Sequence, residues 1–128
     1  MKLPFLHRLG VGVAALCWLL LIPGCSDSAK PVEPVALADI PSLVNAAFKD
    51  AKDPAKSLAS QVVDAVEQKD WAKASVGAEA LLSAPGTTAE QNKLVGRCLL
   101  AINQQVNEAA AAGNAQAEQL QQVRRAEK

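Results

Sequence analysis

The sequence predicts an all-α protein, a small bundle of about four to five short helices packed as antiparallel helical hairpins. From Pro41 onward, apolar residues recur at intervals of three and four, which is typical of one buried helix face. Alanine, the strongest helix former, supplies 23 of the 104 residues from Cys25 to Lys128. No segment alternates β-branched and polar residues with period two, so a sheet is not expected.

Two helices are predicted on either side of Asp53. The first runs from Pro41 to Lys52. Asp53 is placed to cap the next helix and Pro54 to occupy its first position, where a missing N–H costs nothing. The second helix ends near Lys69. The apolar stripes of the two helices are Leu43, Val44, Ala47, Phe48 and Ala51, and then Leu58, Ala59, Val62, Val63 and Val66.

A third helix is predicted after Asp70, which is placed to cap it. Its buried face carries Trp71, Ala74, Ala78, Leu81 and Leu82, and the segment from Ser83 to Gly86 ends it. We expect Trp71 to pack across a hairpin against Val63, Val66 and Leu99.

The fourth helix is predicted to be the longest, reaching about Ala112. Thr87 and Glu90 have the spacing of a capping box, in which the two side chains satisfy each other's backbone donors. Gly113 suits the left-handed position that ends a helix, and Asn114 is placed to cap a fifth one. The apolar face of the fourth helix contains Leu94, Val95, Cys98, Leu99, Ile102 and Val106.

The first 24 residues are predicted to be an export signal. Lys2 and Arg8 form a basic region, and about fourteen mostly apolar positions follow from Leu9 to Ile22, fewer than the roughly 20 that span a bilayer as a helix. The signal carries the chain's one histidine, His7.

The end of this signal, Ile22-Pro23-Gly24-Cys25, resembles the lipobox of bacterial lipoproteins. The resemblance implies cleavage between Gly24 and Cys25 and a diacylglyceryl group on the Cys25 thiol, so membrane lipid is an expected partner. Ser26, rather than Asp, follows the cysteine; by the enteric sorting rule this implies an outer-membrane protein facing the periplasm. The alternatives are a secretory signal cut near Ala29 without lipid, or an uncleaved signal anchor.

Residues 25–40 are predicted to form a flexible, lipidated tether before the Ala-rich helical module of residues 41–128. Pro31 and Pro34 stand among small residues and scattered charges without helical periodicity. The alternative is that Val35, Leu37 and Ile40 fold back onto the module.

The composition of the predicted mature chain weighs against several function classes. Removing Lys2 and Arg8 leaves 11 basic against 13 acidic side chains, a net charge of −2, which disfavours nucleic-acid binding. Without histidine, the usual acid, base or metal ligand is missing. We therefore predict no catalytic, cofactor-binding or metal-binding residue.

The remaining polar and thiol groups are predicted to be structural. Cys98 is expected to be a small buried hydrophobe. The carboxylates are expected to lie on solvated helix faces, with an enzyme based on them as a less favoured alternative; they are Asp64, Glu67, Glu79, Glu90, Glu108 and Glu118. A core this thin favours a protein partner or self-association.

Two further resemblances concern architecture and attachment. The segment from Asp70 to Ala74, with Ala78, Leu81, Leu82 and Pro85, resembles the second half of a tetratricopeptide unit, which implies stacked helical hairpins. A lipid-anchored, Ala-rich helical chain ending in Lys128 is similar to the murein lipoprotein, whose terminal lysine is joined to peptidoglycan. The sequence thus predicts a lipid-anchored, non-enzymatic interaction or structural module, with a membrane-to-wall spacer as the alternative.

Overall fold

The computed structural model describes residues 30–128, which fold as a short 3-10 helix, Leu37–Asp39, followed by five α-helices. The helices are α1 (Ile40–Phe48), α2 (Ala55–Glu67), α3 (Trp71–Leu82), α4 (Ala89–Ala111) and α5 (Ala115–Ala126). The all-α prediction is confirmed. The predicted export signal, the lipobox with Gly24 and Cys25, and the tether as far as Ala29 lie outside the described residues.

Successive helices are joined by short turns and pack as hairpins. The largest interfaces join α2 to α3 and α3 to α4, while α1 covers the side formed by α2 and α4. The last helix, α5, packs against α4 and to a lesser extent against α3. This order places α3 in the middle of the bundle, where its neighbours are α2, α4 and α5.

Small side chains allow α2 and α3 to approach closely. Ala74 and Ala78 are fully buried on α3, and a Cβ atom at Gly77 would lie 3.1 Å from Cγ2 of Val62 on α2. The core around them is filled by larger aliphatic side chains, of which Leu81 and Ile102 are completely buried. The backbones of α2 and α3 are therefore closely packed at these positions.

Two of the predicted caps are confirmed. Oδ1 of Asp70 accepts a hydrogen bond from the backbone N–H of Lys73 at 3.1 Å, and Oδ1 of Asn114 accepts one from Ala117 at 3.1 Å. Gly113 ends α4 with a φ of 85°, the left-handed conformation that glycine adopts most easily.

The predicted cap at Asp53 is wrong. α2 begins at Ala55 after Pro54, whose φ of −85° and ψ of −10° are helical, and no side chain caps the helix. The first amide donors instead bind backbone oxygens: Lys56 binds the carbonyl of Lys52, and Leu58 binds that of Pro54. Because the preceding turn already supplies these acceptors, the carboxylate of Asp53 is left in solvent.

The capping box of α4 lies one residue later than predicted. Thr88 Oγ1 accepts from the N–H of Gln91 at 3.1 Å, and Gln91 Oε1 accepts from the N–H of Thr88 at 2.8 Å. The hydroxyl of Thr87 donates instead to the carbonyl of Ala84. The shift has a physical reason: an amide can cap and also donate, and Gln91 Nε2 donates to the carbonyl of Ala47 at 2.7 Å. The carboxylate of Glu90, which only accepts, cannot form that second bond.

The tether ends earlier than predicted, because the fold-back alternative is what the structure shows. Val35 is only 9 % exposed, Ile40 is fully buried, and Leu37 packs against the core at partial exposure. The guanidinium Nε of Arg97 also donates to the carbonyl of Glu33 at 2.8 Å. Burial of this apolar surface stabilises the attached conformation, so the module begins near Val35.

Candidate functional site

An apolar groove of about 510 Å³ opens on the surface formed by α2, α3 and α5. We call it the α5 groove. Its apolar lining comes from Leu58, Ala72, Val76, Gly77, Ala80, Leu120 and Val123, and its polar rim from Gln61, Asp70, Lys73, Gln116 and Gln119. Val76 and Val123 are 52 % and 48 % exposed, so the two branched side chains flank the opening.

The groove exists because the exposed side of α3 carries small residues. Ala72, Gly77 and Ala80 fill little of the space between α2 and α5, which leaves Leu58 and Leu120 accessible on either side. Both leucines are only half-buried and touch the core at their inner ends. The sequence places Leu58 on the apolar face of the second helix, but it does not predict a groove beside that face.

A cluster of four polar side chains fastens the last turns of α5 to the bundle. This Arg124 cluster consists of Ser75, Glu79, Asn103 and Arg124. Ser75 Oγ donates to Oδ1 of Asn103 at 2.6 Å, while Arg124 donates from Nη2 to Ser75 Oγ at 2.7 Å and from Nη1 to Asn103 Oδ1 at 3.2 Å. Nη2 of Arg124 also forms an ion pair with Glu79 Oε1.

Burial strengthens the hydrogen bonds of the Arg124 cluster. Ser75 has no exposed surface and is the one fully buried polar residue among residues 30–128. The side chain of Arg124 is 29 % exposed and that of Glu79 is 47 % exposed, so their ion pair is partly screened by water. Hydrogen bonds from a charged donor to buried acceptors are stronger than bonds between neutral groups. The cluster therefore links α3, α4 and α5 at one point.

Sequence reasoning missed this cluster. Glu79 lies on an exposed face, as predicted for the carboxylates, but it also pairs with Arg124, 45 positions later. One signal was available in the sequence, since Ser75 falls between Ala74 and Ala78 on the predicted buried face of the third helix. A polar residue in such a position needs a partner.

Trp71 borders a second cavity, of about 500 Å³. Leu37 and Pro41 line it from the N-terminal side, together with Val66 from α2 and Gln105 from α4. Of the three neighbours predicted for Trp71, Val66 lines this cavity, whereas Val63 and Leu99 do not. The segment before α1, predicted to be a tether, contributes Leu37 and Ala38 to the lining of this cavity.

Cys98 is a buried thiol, as predicted. It is 1 % exposed and packs in the core on α4. Burial raises the pKa of the Cys98 thiol above its ordinary value of 9.0 to about 11, although the nearby Arg97 acts in the opposite direction. The thiol is therefore protonated at neutral pH and is a poor nucleophile.

The other predicted positions are exposed. The carboxylates of Asp64, Glu67, Glu90, Glu108 and Glu118 lie on the surface, and so does Lys128, beyond the end of α5. Within residues 30–128, no group of three His, Cys, Asp or Glu side chains is arranged to hold a metal ion. None of the helices in this part of the chain combines the length and the apolar character needed to cross a bilayer.

No protein-family model, curated protein or solved structure matches this chain.

Proposed function

We propose that this chain is a lipid-anchored protein of the bacterial cell envelope whose helical module binds another protein chain without catalysing a reaction. The proposed anchor is Cys25, on the resemblance of Ile22-Pro23-Gly24-Cys25 to a lipobox. The proposed location is the outer membrane, facing the periplasm, on the grounds that Ser26 follows the cysteine.

The observation that supports the binding role is the α5 groove. Its opening is flanked by two half-exposed valines, and its floor is apolar. Burying apolar surface stabilises a complex by about 25 cal/mol per Å² before the entropy of association is subtracted. The glutamines of the rim offer both donors and acceptors, which can orient a bound segment. An apolar floor with a polar rim is the usual arrangement of a protein-binding surface.

The proposed anchor would hold this groove close to the membrane. Val35, where the chain joins the core, is ten positions after Cys25. At 3.3–3.6 Å per residue the connection spans at most about 35 Å. Two or three acyl chains on Cys25 would make the attachment effectively permanent, since each buried CH₂ contributes about 0.8 kcal/mol. A partner of the groove would therefore be another envelope protein.

The anchor is tested by metabolic labelling with a fatty-acid analogue. We expect the full chain to be labelled and the Cys25→Ser variant to remain an unlabelled precursor. Cys98→Ala is the matched control, because it removes the other cysteine of residues 25–128, and this variant should be labelled normally. Labelling that persists in Cys25→Ser, or that disappears in Cys98→Ala, would contradict lipidation at Cys25.

The groove is tested by photo-crosslinking in intact cells. A photoreactive residue placed at Val76 or Val123 should yield the same discrete protein adduct, because both positions flank one groove. Leu43 is the matched control: it is 38 % exposed but belongs to α1, outside the groove. An adduct that forms equally well from Leu43, or no adduct from either valine, would contradict a binding role for the groove.

A further inference from the structure

We propose that α5 is an exchangeable helix, so that α5 of one copy of this chain binds the α3–α4 face of a second copy. The proposal goes beyond the binding role proposed for the α5 groove, because the second copy would bind the α3–α4 face and leave that groove open. It does not depend on the lipid anchor.

The first argument is that α5 is held by few contacts. Ala117 is its one buried residue, and Leu120 is half-buried. Its polar attachments are Arg124, through the Arg124 cluster, and one exposed hydrogen bond, in which Nε2 of Gln121 donates to Oδ1 of Asn107 at 2.8 Å. A helix with one buried side chain opens more readily than helices such as α2, which buries six.

The second argument concerns the turn between α4 and α5. Alanines flank it on both sides, at 109–112 and at Ala115, and these residues have the highest helix propensity. The turn is made by backbone bonds from Gly113 to Ala110 and from Asn114 to Ala109, together with the Asn114 cap. A continuous helix would replace these bonds with ordinary helical ones, so straightening the turn leaves few donors unpaired.

The third argument is geometric. With the turn straightened, residues 89–126 form one helix of about 57 Å at 1.5 Å per residue. The inner face of α5, with Ala117, Leu120 and Arg124, then extends away from its own bundle. A second copy offers the same α3–α4 face. When α5 of each chain binds that face of the other chain, both faces are occupied in a closed, twofold dimer.

The fourth argument is that polar groups on the α3–α4 face keep a hydrogen-bond partner when α5 has left it. Ser75 and Asn103 are bonded to each other at 2.6 Å, so neither loses its only partner when Arg124 leaves. The incoming Arg124 of the second copy would find the same three acceptors, Ser75, Asn103 and Glu79. Exchange would also rebuild the α5 groove, since Leu120 and Val123 would then come from the other chain.

Charge exchange at the ion pair provides the test. Full-length Glu79→Arg and Arg124→Glu variants are purified separately in detergent, and each carries two like charges where the ion pair stood. When they are mixed, an exchanged heterodimer restores opposite charges at both α5 interfaces. We expect the mixture to form a dimer, measured by light scattering and native mass spectrometry, in at least tenfold excess over either variant alone.

The double variant, with both substitutions in one chain, is the matched control for folding. It restores opposite charges within a single chain, so its helical circular dichroism should equal that of the parent and its dimer fraction should not exceed the parent's. A mixture of the single variants that stays monomeric would overturn the proposal, as would a dimer whose two chains carry the same substitution.

A second variant keeps the test independent of the ion pair. Gly113 has a φ of 85°, where alanine is disfavoured, and alanine favours a continuous helix at that position. Gly113→Ala should therefore raise the dimer fraction by more than about tenfold, since two turns straighten in each dimer. An unchanged dimer fraction would also overturn the proposal. Neither failure would alter the labelling at Cys25 or the adducts at Val76 and Val123, so the proposed function is judged separately.

Discussion

Alkaline pH should selectively weaken the protein through the buried thiol of Cys98. Its pKa is about 11 in the fold, against 9.0 as its ordinary value. A thiol whose folded pKa is raised contributes its full stability below pH 9, and this contribution is lost as pH rises towards 11, because the unfolded chain ionises first. Relative to pH 8, the free energy of unfolding should fall through this group by about 1.3 kcal/mol at pH 10 and by about 2.3 kcal/mol at pH 11.

The assay is urea unfolding of the full chain and of Cys98→Ala at pH 8, 9 and 10. Lysines also titrate in this range, but they are common to both proteins, so the difference between the two curves isolates the thiol. At pH 8 the variant should be less stable by about 1–2 kcal/mol, because alanine fills less of the core. By pH 10 most of that difference should have disappeared.

Parallel stability curves from pH 8 to pH 10 would refute the reasoning, since they would mean that the thiol has the same pKa in the folded and unfolded chains. The rate at which Cys98 reacts with a thiol reagent tests the burial of its side chain independently. In the native protein Cys98 should react at the rate of global or local opening, and in urea at the rate of a free thiol.

Two further predictions concern individual side chains of the fold, and a third concerns the spacer alternative. Trp71→Ala should cost about 2–3 kcal/mol, less than for a fully buried tryptophan because the indole borders a cavity; a melting temperature within two degrees of the parent's would contradict this. Thr88→Ala should cost about 1 kcal/mol in urea unfolding and Thr87→Ala clearly less, because Thr88 forms the capping box; the reverse order would contradict the assigned register. The spacer alternative predicts that muramidase releases this protein from detergent-boiled sacculi and that deleting Lys128 abolishes the release; retention without Lys128, or no retention at all, would refute it.

The caps show how far local sequence could predict this fold. Asp70 and Asn114 were predicted correctly because each stands directly before a helix, and a side-chain oxygen of each accepts from the amide three residues later. Thr87 and Glu90 had the right spacing but the wrong register. Thr88 and Gln91 form the capping box because Gln91 also donates to the carbonyl of Ala47, 44 positions away. No local sequence pattern predicts such a contact.

The candidate site was less predictable than the helices. Each residue of the α5 groove could be placed on a helix, but a groove is the space left between three helices, and its depth depends on small residues meeting across interfaces. The Arg124 cluster joins Ser75 and Glu79, one turn apart on α3, to Asn103 and Arg124, which follow Ser75 by 28 and 49 positions. Only the hairpin packing brings them within hydrogen-bond distance.

The sequence by itself determined the helical class, the presence of all five helices, the turns at Asp70 and Gly113, and the buried character of Cys98. These depend on interactions within a few residues: helix propensity, capping and the 3.6-residue period of apolar side chains. Tertiary structure alone decided that residues 35–40 join the core, that Trp71 and Leu37 line one cavity, and that Arg124 fastens α5 to α3 and α4. Each of these outcomes depends on which surfaces meet when the helices pack, and burial of apolar area between distant segments has no signature in local periodicity.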